Sequence, residues 1–82
     1  MADKPIIVDG VKVEVTVDDF DDLDVVEQLE SGNIVTGIKM IFGEAKYKEV
    51  KEALKDPDTG KTKLSRLNEW FAEVAEQVGA KN

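Results

Sequence analysis

An Asp9-Gly10 pair sits at the centre of an alternating apolar run, and it predicts that the chain begins as a β-hairpin. From Ile6 to Val17, valines at 11, 13, 15 and 17 fall on one side, and Lys12, Glu14 and Thr16 on the other. Asp-Gly suits a type I′ turn, whose two central residues both need positive φ. Such a turn pairs Val8 with Val11 and Ile6 with Val13, and gathers Ile6, Val8, Val11, Val13 and Val15 on one face. A two-stranded hairpin is marginal by itself in water, so this face must lie against helices or against another subunit's strands.

Past Asp21 and Asp22 the period changes. Leu23, Val26 and Leu29, with Val25 beside them, repeat at helical spacing, and acids crowd the first turn where the helix dipole favours them. Ser31-Gly32-Asn33 ends that helix, and Ile34, Ile38, Ile41 and Phe42 form a second stripe, weakened by Gly37 and closed by Gly43. Glu44 to Lys55 reads as a surface-lying helix with Tyr47, Val50 and Leu54 on one side. Asp56-Pro57-Asp58-Thr59-Gly60 is a turn. Thr62 is then placed to cap a last helix in which Leu64, Leu67, Phe71, Val74 and Val78 recur until Gly79. The expected fold is α+β and mainly α: one domain over residues 1–82, with a hairpin over 6–17 and about four short helices over 21–78.

A domain of 82 residues buries only roughly 60 to 65 per cent of its unfolded surface, so the core is small. With no cysteine there is no disulfide staple, and with neither cysteine nor histidine most nucleophile–base pairs, thiolate metal sites and imidazole shuttles are excluded. Apolar runs reach only three or four residues, far from the roughly 20 that span a bilayer. Met1-Ala2-Asp3-Lys4-Pro5 has no apolar signal stretch, and Ala80-Lys81-Asn82 carries no lipidation signature. A cytoplasmic protein without membrane association is the expectation.

Charge is strongly polarised. Residues 1 to 30 hold ten acids against two lysines, whereas residues 31 to 82 hold eight acids against nine bases, for a net charge of -7. Such a chain repels phosphate backbones at one end and is suited to docking on proteins, so no nucleic-acid partner is expected. The lysines at 46, 48, 51, 55, 61 and 63 and Arg66 are diluted by Glu49, Glu52, Asp56 and Asp58, which reads as a solvated face. Gly32, Gly37 and Gly43 are too loosely spaced for a phosphate-cradling loop.

The run Asp18-Asp19-Phe20-Asp21-Asp22-Leu23-Asp24 is the one place where a hard cation would find clustered carboxylates. Helix capping explains it better, because the run leads into a helix whose orphan amides need acceptors. The turn at Asp56 to Gly60 fails as a calcium loop: Gly60 falls on the fifth position and Leu67 on the twelfth, where ligands are required. Asp21-Asp22-Leu23-Asp24 is similar to the Asp-Ser-Leu-Asp attachment motif of acyl carrier proteins, but Asp22 replaces the serine that bears the prosthetic group. No metal and no cofactor are expected, and no catalytic residue.

Several aromatic residues are candidates for partner contact. Trp70 lies beside the Leu64, Leu67, Phe71, Val74 stripe and widens it, so core filling and partner anchoring are equally open to it. Phe42, Tyr47, Trp70, Phe71 and Val74 form the expected partner-binding set.

From hairpin to last helix the sequence resembles the small tail assembly chaperones of long, flexible-tailed bacteriophages and related prophages. The likeness rests on Val-Asp-Gly-Val at residues 8 to 11, Val15 to Val17, and Asp21-Asp22-Leu23-Asp24-Val25-Val26-Glu27-Gln28-Leu29-Glu30. It continues through Gly43-Glu44-Ala45-Lys46-Tyr47, Leu54-Lys55-Asp56-Pro57-Asp58-Thr59-Gly60 and Leu67-Asn68-Glu69-Trp70-Phe71-Ala72-Glu73-Val74. Members often carry an aromatic residue where Leu23 stands here. The resemblance implies a non-enzymatic protein that coats the tape-measure protein in the bacterial host cytoplasm, keeps it soluble, and hands it over as tail-tube protein polymerises. It implies absence from the mature virion. Families of this kind often make a longer product by ribosomal frameshifting, and Ala80-Lys81-Asn82 can be encoded GCA AAA AAC, which contains a slippery run.

Self-association through the hairpin edge is left open by the residues. The alternative function is an acidic inhibitor that occupies a partner's basic nucleic-acid-binding site, motivated by the acids from Asp18 to Asp24. A carboxylate-only catalyst built on Asp21, Asp22 and Asp24 is disfavoured, since so small a chain offers little cleft and these acids are expected to be solvated.

Overall fold

The computed structural model describes residues 5–79. The expectations drawn from Met1 to Lys4 and from Ala80-Lys81-Asn82 lie outside them. Asp9 and Gly10 both take positive φ, 53° and 82°, the pair of left-handed residues that a type I′ turn requires. Around them β1 (Ile6–Val8) and β2 (Val11–Val13) pair antiparallel, with Ile6 opposite Val13 and Val8 opposite Val11. Val8, Val11 and Val13 are buried and Ile6 is half-buried, while Ile7 and Lys12 face outward as a cross-strand pair.

The hairpin is shorter than the expected span of 6–17. Among the described residues its ladder runs no further than Ile6 opposite Val13. Val15 remains buried, but Val17 is 48% exposed and opens a one-turn helix, α1 (Val17–Phe20). The Asp19 carboxylate accepts from the Thr16 amide at 2.9 Å, and this capping interaction at the helix start ends the extended run.

Four longer helices follow, giving the α+β, mainly α fold: α2 (Leu23–Glu30), α3 (Ile34–Phe42), α4 (Glu44–Ala53) and α5 (Leu64–Val78). Asp22 caps α2, its carboxylate accepting from the Asp24 amide at 2.9 Å. The inward face of α2 is Val25 with Leu29 packed on the core, so the expected lead residue of the stripe, Leu23, is left 67% exposed. On α3, Gly37 does more than weaken a helix: a Cβ there would meet Leu29 Cδ2 at 2.8 Å, so its bare backbone lets α2 and α3 approach closely.

Helix α4 sends Val50, and just past its end Leu54, into the core while most of its other residues stay exposed, as expected of a surface-lying helix. Thr62 does not cap α5. Its hydroxyl donates to the Lys51 carbonyl at 2.6 Å, stitching the α4–α5 connection to α4, and Lys63 takes the cap position. The Asp56 to Gly60 turn closes on itself, with the Asp58 amide donating to the Asp56 carboxylate at 2.8 Å. Gly79 ends α5 in the left-handed conformation, its amide donating to the Ala75 carbonyl at 3.1 Å.

One apolar cluster joins the hairpin to the helices: Val8, Val11, Val13 and Val15 pack with Ile38, Val50, Leu54, Leu67 and the inner face of α5. Strand β1 contacts α5 and β2 contacts α4. No helix among the described residues is long and apolar enough to cross a membrane.

Candidate partner-binding surface

The five residues expected to bind a partner divide into an inner and an outer group. Trp70 and Val74 are fully buried and Phe71 nearly so, because α5 turns its Leu67, Trp70, Phe71, Val74 face onto the hairpin. The Trp70 indole Nε1 donates to the Val8 carbonyl at 3.1 Å, satisfying the one polar atom that burial would otherwise strand. Phe71 packs at 5.3 Å between ring centroids against Phe20. Of the two roles open to Trp70, the structure assigns it the core. In this fold these three side chains have no surface to give a partner.

Phe42 and Tyr47 are half-buried at the edge of the core. Phe42 meets Trp70 edge to face at 5.6 Å, an arrangement suited to the ring quadrupoles. Its other side opens on a shallow cleft of about 320 Å³, lined by Val13, Ile41 and Phe42 and bounded by Lys12, Glu14 and Lys46. Lys46 Nζ is fixed there by the Lys12 carbonyl at 2.8 Å and the Glu49 carboxylate at 2.9 Å, which covers part of the β2 edge with a charge.

Tyr47 borders a second cleft, where α3, α4 and the start of α5 meet. Lys39 Nζ stands 5.0 Å from the centroid of the Tyr47 ring, within cation–π range. Val35, Tyr47, Leu64 and Leu67 supply the apolar lining. Val35 and Leu64 escaped the sequence reading as surface residues. Leu64 looked like the first member of the α5 core stripe, but at the first helical position its side chain is 59% exposed, and only its three-residue step to Leu67 hinted at a shared edge.

The acidic run forms helix starts. Asp19 and Asp22 direct their carboxylates at backbone amides of residues 16 and 24, as capping requires. Among the described residues, no group of three or more carboxylates converges as a metal site would. Arg66 binds Asp9 at 3.2 Å and Glu69 at 3.3 Å, and the hydrogen bond to Asp9 is the first cause of a guanidinium pKa raised above its ordinary value. This pair ties the hairpin turn to α5. The geometry thus provides shallow clefts with apolar floors and charged rims.

Comparison of the chain with protein-family models, curated proteins and solved structures finds no match.

Proposed function

We propose that this chain is a non-enzymatic tail assembly chaperone: it binds the tape-measure protein in the bacterial host cytoplasm, keeps it soluble, and releases it to tail-tube subunits. It does not enter the mature virion. The observation that carries this reading is the cleft beside β2, where half-buried Ile41 and Phe42 open between Lys12 and Lys46. An amphipathic helical client needs an apolar seat of this kind with a polar rim, and a shallow seat gives weak contacts. Many copies seated along a long client cover its apolar surface, and each can still be displaced by itself. The net charge of -7 keeps the coated client dispersed.

Co-expression with the tape-measure protein of the same tail gene cluster tests the reading. The tape measure moves into the soluble fraction and elutes with this chain if the proposal holds. A tape measure that stays insoluble, with this chain eluting alone, contradicts it.

A further inference from the structure

We propose that the lysine-lined hollow between α4 and the turn that follows it binds an acidic segment of a partner protein, extended and carrying carboxylates at alternate positions. In sequence the bases of residues 44–63 are interleaved with acids, and folding sorts them. Glu44 pairs with Lys39 at 3.7 Å, Glu49 with Lys46 at 2.9 Å and Glu52 with Lys55 at 3.0 Å, while the Asp56 carboxylate accepts from the Asp58 amide. Lys48, Lys51 and Lys61 are left exposed, and none of them has an ion-pair partner among the described residues.

All three border the same hollow. Positions 48, 51 and 55 follow one another at three- and four-residue steps along one side of α4 and its C-terminal flank. The chain returns beside them at 60–62, where the Thr62 hydroxyl donates to the Lys51 carbonyl at 2.6 Å, and this return brings in Lys61. The hollow has a volume of about 690 Å³ and is lined by Lys48, Lys51, Lys55 and Lys61, with Glu52 the one acid among the described residues of its wall. On a chain of net charge -7 this is a local reversal of sign, and a bound anion relieves the repulsion among its lysines.

The lining selects the kind of anion. Among the described residues it includes no aromatic side chain and no arginine, so it has neither a platform on which bases stack nor a fork for bidentate phosphate binding. The net charge of -7 also repels a long polyanion, whereas a short acidic segment brings only the charges that the hollow takes up. Spacing agrees with a carboxylate run: helix neighbours three or four residues apart stand about 5–6 Å apart between Cβ atoms, and alternate side chains of an extended strand roughly 6.6 Å. A segment lying along α4 therefore sets successive acids against successive lysines. The hollow shares no lining residue with the client seat beside β2, so its occupant is independent of the tape-measure client.

Fluorescence anisotropy of a labelled peptide, in which four glutamates alternate with serines, tests the proposal when the full chain is titrated in at low salt. The wild type binds saturably, and added salt weakens the binding. Lys51→Gln with Lys61→Gln weakens it at least about fivefold, as the loss of two surface ion pairs does. Ser65→Glu with Asn68→Glu makes the same change in net charge on α5 and leaves it within about twofold. Circular dichroism checks that both variants are folded, and in the wild type the peptide shifts the amide resonances of residues 48–62. The proposal is overturned by a peptide that does not bind, by binding undiminished in the glutamine variant, or by resonance shifts confined outside 48–62. An oligothymidine of equal charge that binds more tightly assigns the hollow to nucleic acid and overturns it too. So does a chain that gains mass with concentration on sedimentation without peptide, if the glutamine variant abolishes that gain, because the occupant is then a second copy.

Discussion

Trp70 and Val8 are 62 residues apart, and the Trp70 indole donates to the Val8 carbonyl oxygen at 3.1 Å. The bond fixes the hairpin to the longest helix at a buried point, as a second bond to a carbonyl that already closes the Asp9-Gly10 turn. Trp70→Phe is expected to cost about 0.5–1.5 kcal/mol through the lost hydrogen bond. Trp70→Ala, which adds a cavity, is expected to cost about 3–5 kcal/mol. Urea unfolding followed by far-ultraviolet circular dichroism measures both.

At the hairpin turn, a Cβ on Gly10 meets no atom within 4 Å, so only the backbone resists substitution. With φ at 82°, Gly10→Ala should lower stability by about 1–2 kcal/mol while leaving the folded spectrum unchanged. A thermal melt that does not move would show that the turn is not held in the type I′ form.

Gly37 and Leu29 test how tightly α2 and α3 are packed. In the wild type, Gly37→Ala gains about 0.8–1 kcal/mol of helix propensity but must displace Leu29 Cδ2, 2.8 Å from the new methyl. The net change is expected to be small. In a Leu29→Ala background the obstruction is gone, and the same substitution should stabilise by the full propensity difference. Gly37→Leu overfills the site and should cost about 1–3 kcal/mol. Denaturant midpoints of the four variants decide it.

Arg66 and Asp9 form a half-exposed pair, with side-chain accessibilities of 41% and 40%. Solvent screens it, so a double-mutant cycle should return only about 0.2–1 kcal/mol, shrinking with added salt. The guanidinium pKa is raised above its ordinary value, so Arg66 stays charged and its contribution is complete throughout the neutral and acid range and is lost only at strongly alkaline pH. A large coupling energy would mean that the turn is desolvated against α5.

Much of this fold was legible in the chain because its signals are local. Asp9-Gly10 and the flanking alternation gave the hairpin register, and Gly43 and Gly79 marked helix ends. Alternation misled where it outran the ladder: Val15 and Val17 continue the period, yet the pairing ends at Val13 and Thr16 with Asp19 starts a helix. Leu23 shows the limit of a helical stripe as a guide, since Val25 and Leu29, four residues apart, took the inward face.

The candidate surfaces were less legible because they depend on pairs distant in sequence. Nothing near Trp70 says that a carbonyl on strand β1 waits for its indole, so its burial could not be separated from exposure by spacing. The clefts are made where elements meet, Val35 with Leu64 and Val13 with Phe42, and no single periodic segment contains either pair.

The central claim, chaperoning of a long helical client, is tested most directly by expressing the native locus with its two downstream genes and an N-terminal tag on this chain, then weighing the purified material by intact-mass spectrometry. The account predicts that the tape-measure protein copurifies with many copies of this chain. Recovery of the 82-residue product alone, with the tape measure expressed but left behind, would contradict it.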